Sequence, residues 1–432
     1  VTALEAGAYG FGALTLLLLL GVPIAFAMML VGVGGILVQL GPQAAFALAG
    51  QIPVSQTMSY ELSVVPMFVL MGALIARSGI ATDLYAACQA LVGHRRGGLA
   101  IATVLASGGF AAVCGSAIAT TATFARVAHP EMRRFGYHEG LASSVVCAGG
   151  TLGILIPPSV IMVIYGVLTG TNVGQLFAAG VVPGLLAVLF YGAVVRVLVW
   201  RVPTAAPAAP RPPWSVTWPA LGRVWPVVVL FLLVMGGLYG GAFTATEGGA
   251  IGAAGALALA ILRGGMSWPA ILASAVETAR TTGALFAILI GALLFAQFMN
   301  LAGLPAALRD FVTSFGVEPL VVVTVICLLY VLLGTFFEEL SMILLTVPIF
   351  FPLVVGLGYD PIWFGIVIVM VVELGLISPP VGMNLFVVQS VLKTPLPVLY
   401  RWITPFVLAD CLRLALIVAL PGIVLALPQA LR

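Results

Sequence analysis

The chain has 432 residues, of which 62% are hydrophobic and only 7% charged, with a formal net charge of +3 and a mean hydropathy of +1.22. A soluble domain carries about a quarter charged residues, so this composition excludes a soluble fold of such length and makes lipid the solvent. The positive charge is small and dispersed, with no Lys/Arg block or interleaved aromatic stripe, which argues against a nucleic-acid partner.

The first apolar run, Ala13 to Leu20, follows Glu5 rather than a basic segment and reads as structure, not as a signal peptide. It ends at Gly21-Val22-Pro23, a break between two short apolar helices. An amphipathic arm, Thr82 to Val92, precedes an apolar stretch over 98–129 with Val113-Cys114-Gly115-Ser116-Ala117 at its centre. Helix on both sides of small polar residues predicts a re-entrant helical hairpin. A long helix over 138–170 is interrupted by Pro157-Pro158, and a final span covers 175–200. The proline-rich segment 201–218 has linker composition and divides the chain into 1–200 and 219–432.

The second half repeats the first. Pro130 and Pro352, Gly136-Tyr137 and Gly358-Tyr359, Gly153 and Gly375, Pro157-Pro158 and Pro379-Pro380, and Pro183 and Pro405 all stand 222 residues apart. The second half therefore has a break at Phe243-Thr244-Ala245-Thr246 and an arm at Pro305 to Phe315. A hairpin over 319–352, a helix over 361–391 broken at Pro379-Pro380, and a last span over 402–427 follow. Five crossings per half put the second half in the membrane the other way up, so the repeats are inverted. Arg95, Arg96, Arg126, Arg133, Arg134, Arg201, Arg211, Arg223, Arg263, Lys393 and Arg401 then share one side, which the positive-inside rule makes the cytoplasm. The fold class expected is an all-α polytopic membrane protein of two inverted repeats.

Function is expected where the helices break. Pro-Pro removes two backbone donors and frees carbonyls one turn earlier, which lipid cannot satisfy. Around the first break stand Gly149-Gly150-Thr151 and Ser159, and around the second Ser378, Gly382 and Asn384. Unwound carbonyls, hydroxyls and an amide are hard ligands for Na+, while half-helix N-termini attract an anion. The hairpin tips, with Gly115 and Ser116 in one and Gly334 and Thr335 in the other, need polar partners for backbone near the bilayer midplane. Close helix packing is the alternative use of such small residues, and it is preferred for Ala119 and Ala122. Glu338 and Glu339 are carboxylates in an apolar segment, placed to ligate a cation, to carry a proton or to face water. Glu247 and Glu373 also lie in apolar surroundings, where either could pair with an arginine. The five cysteines form no CxxC pair and read as small hydrophobes. His94, His129 and His138 lack metal-ligand spacing. No HExxH, GxSxG or P-loop is present, so neither an enzyme nor an ATP-driven pump is indicated.

These stretches resemble the large membrane subunit of tripartite ATP-independent periplasmic (TRAP) transporters along nearly the whole chain. The resemblance rests on GVPIAFAMMLVG from Gly21, VPMFVLMGALIARSGI from Val65, GGLAIATVLASGGFAAVCGSAIAT from Gly97 and HPEMRRFGY from His129. GGTLGILIPPSVIMVIYG from Gly149, LFAAGVVPGLL from Leu176 and ELGLISPPVGMNLFV from Glu373 complete it. It implies an elevator-type symporter of the bacterial inner membrane, coupled to Na+ as a transported ion, with no tightly bound cofactor. It also implies a small four-helix membrane subunit and a periplasmic substrate-binding protein that delivers an organic anion such as a dicarboxylate or sugar acid. Carried over by position, Gly115, Ser116, Gly150 and Thr151 would surround one Na+, and Gly334, Thr335, Glu338, Ser378, Gly382 and Asn384 another. The anion would lie between the tips, against Ser116, Pro157, Ser159, Thr335 and Pro379. Two departures stand out: Glu338 occupies a position usually held by aspartate and is followed by a second acid, and Ala117 replaces a frequent serine. A stand-alone anion symporter, a lipid-directed intramembrane enzyme and a purely structural assembly subunit are the alternatives.

Overall fold

The computed structural model describes residues 3–263, 266–314 and 316–431, the side chains of Ala3, Leu4 and Thr313 excepted, and no strand occurs among them. The first half runs α1 (Ala3–Leu19), α2 (Ile24–Leu40), α3 (Pro42–Thr57), α4 (Val64–Arg77), α5 (Ile80–Val92), α6 (Gly98–Cys114) and α7 (Ala117–Arg134). It continues as α8 (Glu139–Leu155), α9 (Val160–Thr169) and α10 (Val173–Arg201). After α11 (Trp214–Gly222), α12 (Trp225–Phe231) passes through a π turn at Leu232–Gly236 into α13 (Gly237–Tyr239). The second half then follows as α14 (Ala245–Leu262), α15 (Trp268–Leu301), α16 (Leu304–Ser314), α17 (Pro319–Gly334) and α18 (Glu339–Gly356). It ends with α19 (Pro361–Ile377), α20 (Met383–Leu392), α21 (Leu396–Ala419) and α22 (Gly422–Ala430).

Shifting α8 by 222 residues gives 361–377, the bounds of α19. The contacts repeat with the helices: α2 lies along α15 while α14, its equivalent, lies along α4. In the same way α6 and α8 pack as α17 and α19 do, and α7 packs on α20 as α18 does on α9. In lipid such contacts depend on close approach at small residues. A methyl group on Gly32 would stand 2.6 Å from the backbone of Leu294 and Phe295, and one on Gly291 would stand 2.4 Å from the Ala25 carbonyl oxygen.

Seven helices among the described residues are long and apolar enough to cross a membrane, or eight counting the bent pair around residues 58–60. Five crossings per half were expected. The difference lies in segments such as α1, α2 and α19, each 17 residues long and cut off by a break, where about 20 apolar residues make a span. Several bounds move as well. α7 continues through Pro130 to Arg134 and α18 through Pro352 to Gly356, although the hairpins were expected to end at 129 and 352. The proline-rich segment is helical from Trp214 onward, with Pro213 just before the first turn, where a missing N–H costs nothing. The last span splits at Leu420-Pro421. The second arm, α16, is described to Ser314, and Phe315 lies outside the described residues.

Candidate functional site

Each hairpin tip rests on the break of the long helix in its own half. In the first, α6 ends at Gly115, whose φ of +70° suits glycine, and Ser116 caps α7 by accepting from the Ala119 N–H at 3.3 Å. The Thr120 hydroxyl donates to Ser116 O at 2.7 Å. A methyl group on Gly153 would meet Ser116 O at 2.4 Å, and one on Gly115 would meet Pro158 O at 2.9 Å. Tip and break therefore face each other through carbonyl oxygens. Ser159 is buried and donates to Ile154 O at 2.6 Å.

The second tip repeats the arrangement with other side chains. Thr335 caps the end of α17, its hydroxyl donating to Leu332 O at 2.7 Å, while its carbonyl accepts from the Gly382 N–H at 3.1 Å. Ser378 donates to Leu374 O at 2.7 Å. Gly382 has a φ of +59°, and any added methyl would stand only 2.9 and 3.0 Å from Leu376 O and Ser378 O. Gly334 and Gly375 touch backbone to backbone. Asn384, in the first turn of α20, is fully buried, and neither its Oδ1 nor its Nδ2 has a hydrogen-bond partner. Both Pro157-Pro158 and Pro379-Pro380 are cis.

The two tips meet α4, α9 and α15 at a cavity of about 120 Å³. It is lined by Gly72 and Ala76 of α4, by Gly115, Ser116 and Ala119 of the first tip, by Val160 and Ile161 of α9, by Glu277 and Thr281 of α15, and by Glu339 and Leu340 of α18. Among the residues expected to contact substrate, Ser116 lines this cavity, whereas Pro157, Ser159, Thr335 and Pro379 do not. Pro379 is exposed while Pro157 is buried.

The acidic pair divides its roles. Glu338 is the N-cap of α18 and accepts from the Ser341 N–H at 3.3 Å and its hydroxyl at 3.1 Å. This mirrors Ser116 and Ala119, 222 residues earlier. Of the pair it is Glu339 that lines the cavity, only 6% exposed, with Oε2 unpartnered. Glu277, across the cavity, had no distinguishing signal in the sequence, and it pairs with Arg77 at 2.5 Å.

Thr151 and Gly150 are not at the first tip. On a helix, residues two apart point about 200° from each other, so Gly153 faces Ser116 while Thr151 faces the opposite side. There Thr151 joins a sealed cluster with Glu373, Tyr191, Asp410 and Arg413. Arg413 Nη2 bonds Glu373 Oε2 at 2.5 Å and Asp410 Oδ1 at 2.8 Å, and every member is at most 1% exposed. Gly150 seats Thr121 of α7 instead. Glu373 thus has its arginine. Glu247 does not: it is exposed and closes a capping box with Thr244. The repeat offset contained a signal for the cluster, since Thr151 aligns with Glu373 and Tyr191 with Arg413.

Residues 11–423 match the family described as Tripartite ATP-independent periplasmic transporter, DctM component. The chain belongs to this family. It is 40% identical over 378 residues to the C4-dicarboxylate TRAP transporter large permease protein DctM of Pseudomonas aeruginosa, covering 86% of each chain. Identity is 32% to the protein of the same name from Vibrio cholerae, over 96% of each chain, and 30% to the sialic acid TRAP transporter large permease protein SiaM of that organism, again over 96% of each. The YdaH transporter of Alcanivorax borkumensis shares the fold, with a TM-score of 0.59 at 14% identity over 88% of this chain and 89% of that one. The chain is therefore a multi-pass TRAP large permease, and its relatives are transporter permeases.

Proposed function

We propose that this TRAP permease is the translocating subunit of a Na+-coupled system in the bacterial inner membrane that takes up a small organic anion, a carboxylate. A periplasmic binding protein delivers the anion, and a small four-helix membrane subunit completes the scaffold. The two repeats lie inverted in the bilayer. The tips and broken helices, α6–α10 and α17–α22, move as an elevator against α2, α4, α14 and α15. One Na+ sits where Gly115 and Ser116 meet the break at Pro158. The other sits among Gly334, Thr335, Ser378, Gly382 and Asn384.

The observation that carries this reading is Asn384. A buried amide with both polar atoms unpartnered costs about 1–3 kcal/mol per group, and this one follows a break where the Leu376 and Ser378 carbonyl oxygens crowd Gly382. A cation bound to Oδ1 and to nearby carbonyls removes that penalty with ligands of the hardness Na+ prefers. The relatives named for C4-dicarboxylate and sialic acid transport support a carboxylate cargo.

Thermal unfolding of the purified chain in NaCl, against choline chloride at equal ionic strength, tests the ion site. Na+ at 100 times its Kd is expected to stabilise the protein by about 2.7 kcal/mol, and Asn384→Ala is expected to remove the part due to the second site. An unchanged Na+ response in the variant would refute the assignment of Asn384.

A further inference from the structure

We propose that Glu373 is a proton-binding site: its side chain is kept as the neutral acid, with Oε1–H donating to Thr151, so that the cluster at the centre of the broken helices carries no net charge. Two independent counts lead there.

The first is charge. Two carboxylates, Glu373 and Asp410, face one guanidinium, Arg413, and all three side chains are at most 1% exposed. With both acids ionised the cluster would hold one uncompensated negative charge away from water, which is strongly unfavourable. The polar groups against Glu373 are Thr151 from α8, Tyr191 from α10, and Asp410 and Arg413 from α21. Other helices packed on α19 bring no second cation to it among the described residues. Tyr165 of α9 is engaged with Pro361 O, the Tyr330 ring of α17 lies tilted against Phe350 with its hydroxyl unpartnered, and Glu338 of α18 is committed to Ser341. Glu339 of α18 lines the cavity at the tips, and Lys393 closes the far end of α20.

The second count is hydrogens. A carbonyl oxygen has none, so the 2.7 Å contact between Thr151 Oγ1 and Ala148 O uses the threonine's only hydroxyl hydrogen. Tyr191 likewise spends its hydrogen on Asp410 Oδ2 at 2.6 Å, while Asp410 Oδ1 accepts from Arg413 at 2.8 Å. Both oxygens of Asp410 are therefore supplied. The contact between Thr151 Oγ1 and Glu373 Oε1 at 2.9 Å has no hydrogen left from the threonine. A proton on Oε1 supplies it, and Oε2 remains free to accept from Arg413. One proton on Oε1 thus neutralises the cluster and supplies its 2.9 Å contact, while the longer approaches of the Tyr191 hydroxyl to Thr151 Oγ1 at 3.1 Å and to Glu373 Oε1 at 3.4 Å carry no hydrogen of their own.

The cluster binds α8, α10, α19 and α21, so the proton belongs to the body formed by the two broken helices, and it is sealed from water. It is a retained proton that makes the junction neutral, distinct from any coupling ion at the tips.

Infrared spectroscopy of the purified chain tests this at neutral pH. A carboxylic-acid C=O stretch is expected in the wild type and is lost in Glu373→Gln, whose amide reproduces both hydrogen bonds. It is also lost in Asp410→Asn, where Glu373 ionises to balance Arg413. A band that survives Glu373→Gln, once Glu339→Gln has removed the buried acid outside the cluster, would overturn the proposal. Should Glu373→Gln fail to fold, the Glu339→Gln protein labelled with 13C at glutamate carboxyls decides. A label-shifted acid band that Asp410→Asn abolishes supports the assignment, and the absence of such a band overturns it.

Discussion

Replacing Arg413 by methionine is expected to destabilise the protein by about 3–5 kcal/mol, because removing one partner of a buried ionic cluster leaves the other's charge uncompensated. Asp410 and Glu373 are both hydrogen-bonded to Nη2 and have no water to turn to. Nη1 also holds Pro183 O at 3.2 Å, so the substitution strips a further carbonyl inside α10. The triple variant Arg413→Met, Glu373→Gln, Asp410→Asn is expected to recover most of the loss, since no charge then remains to be buried. Thermal unfolding in detergent measures both. A single variant as stable as the wild type would mean that the cluster is reached by water.

The second large effect is steric. Gly375→Val places a Cβ 2.7 Å from Gly334 Cα and 2.9 Å from Gly334 C, and backbone at that distance has no rotamer with which to yield. Overpacking in a tight core costs about 1–3 kcal/mol, and the upper end is expected here. Forcing α17 from α19 also separates Thr335 from Gly382, whose backbone bond joins tip to break. The Na+-dependent stabilisation is therefore expected to disappear together with the stability. Unfolding curves with and without NaCl check both, and a Na+ response of wild-type size would show that the tip can detach without consequence.

Much of the architecture is legible in the sequence because broken membrane helices are punctuated by Gly and Pro, and because the chain repeats itself at a constant offset. The offset also contains contacts that spacing alone does not declare. Ser116 and Glu338 are equivalent N-caps with different chemistry, and this equivalence decides the acidic pair. At the cap, Glu338 must turn back to the Ser341 N–H, which leaves Glu339 to enter the cavity. Reading the two acids as neighbours hides that division. The expected place of Gly150 and Thr151 beside the first ion is lost for a similar reason. Thr151 lies close to Pro157 in sequence, but Gly153 is the residue on the face toward Ser116, and Thr151 and Glu373 point away from the tips together. Partners such as Arg413 and Glu277 come from helices whose packing no local pattern specifies. Asn384 was legible as a polar residue beside a break, but only burial identifies it as unsatisfied.

The central proposal is Na+-driven uptake through a moving body that depends on outside partners. The direct measurement is uptake of radiolabelled succinate or another small carboxylate into proteoliposomes. These would hold this chain with a four-helix small subunit and a substrate-binding protein encoded near it. Uptake that requires an inward Na+ gradient and the binding protein, and that falls to background when either is withheld, is the expected result. Uptake by this chain alone, undiminished without Na+ or without the binding protein, would contradict it.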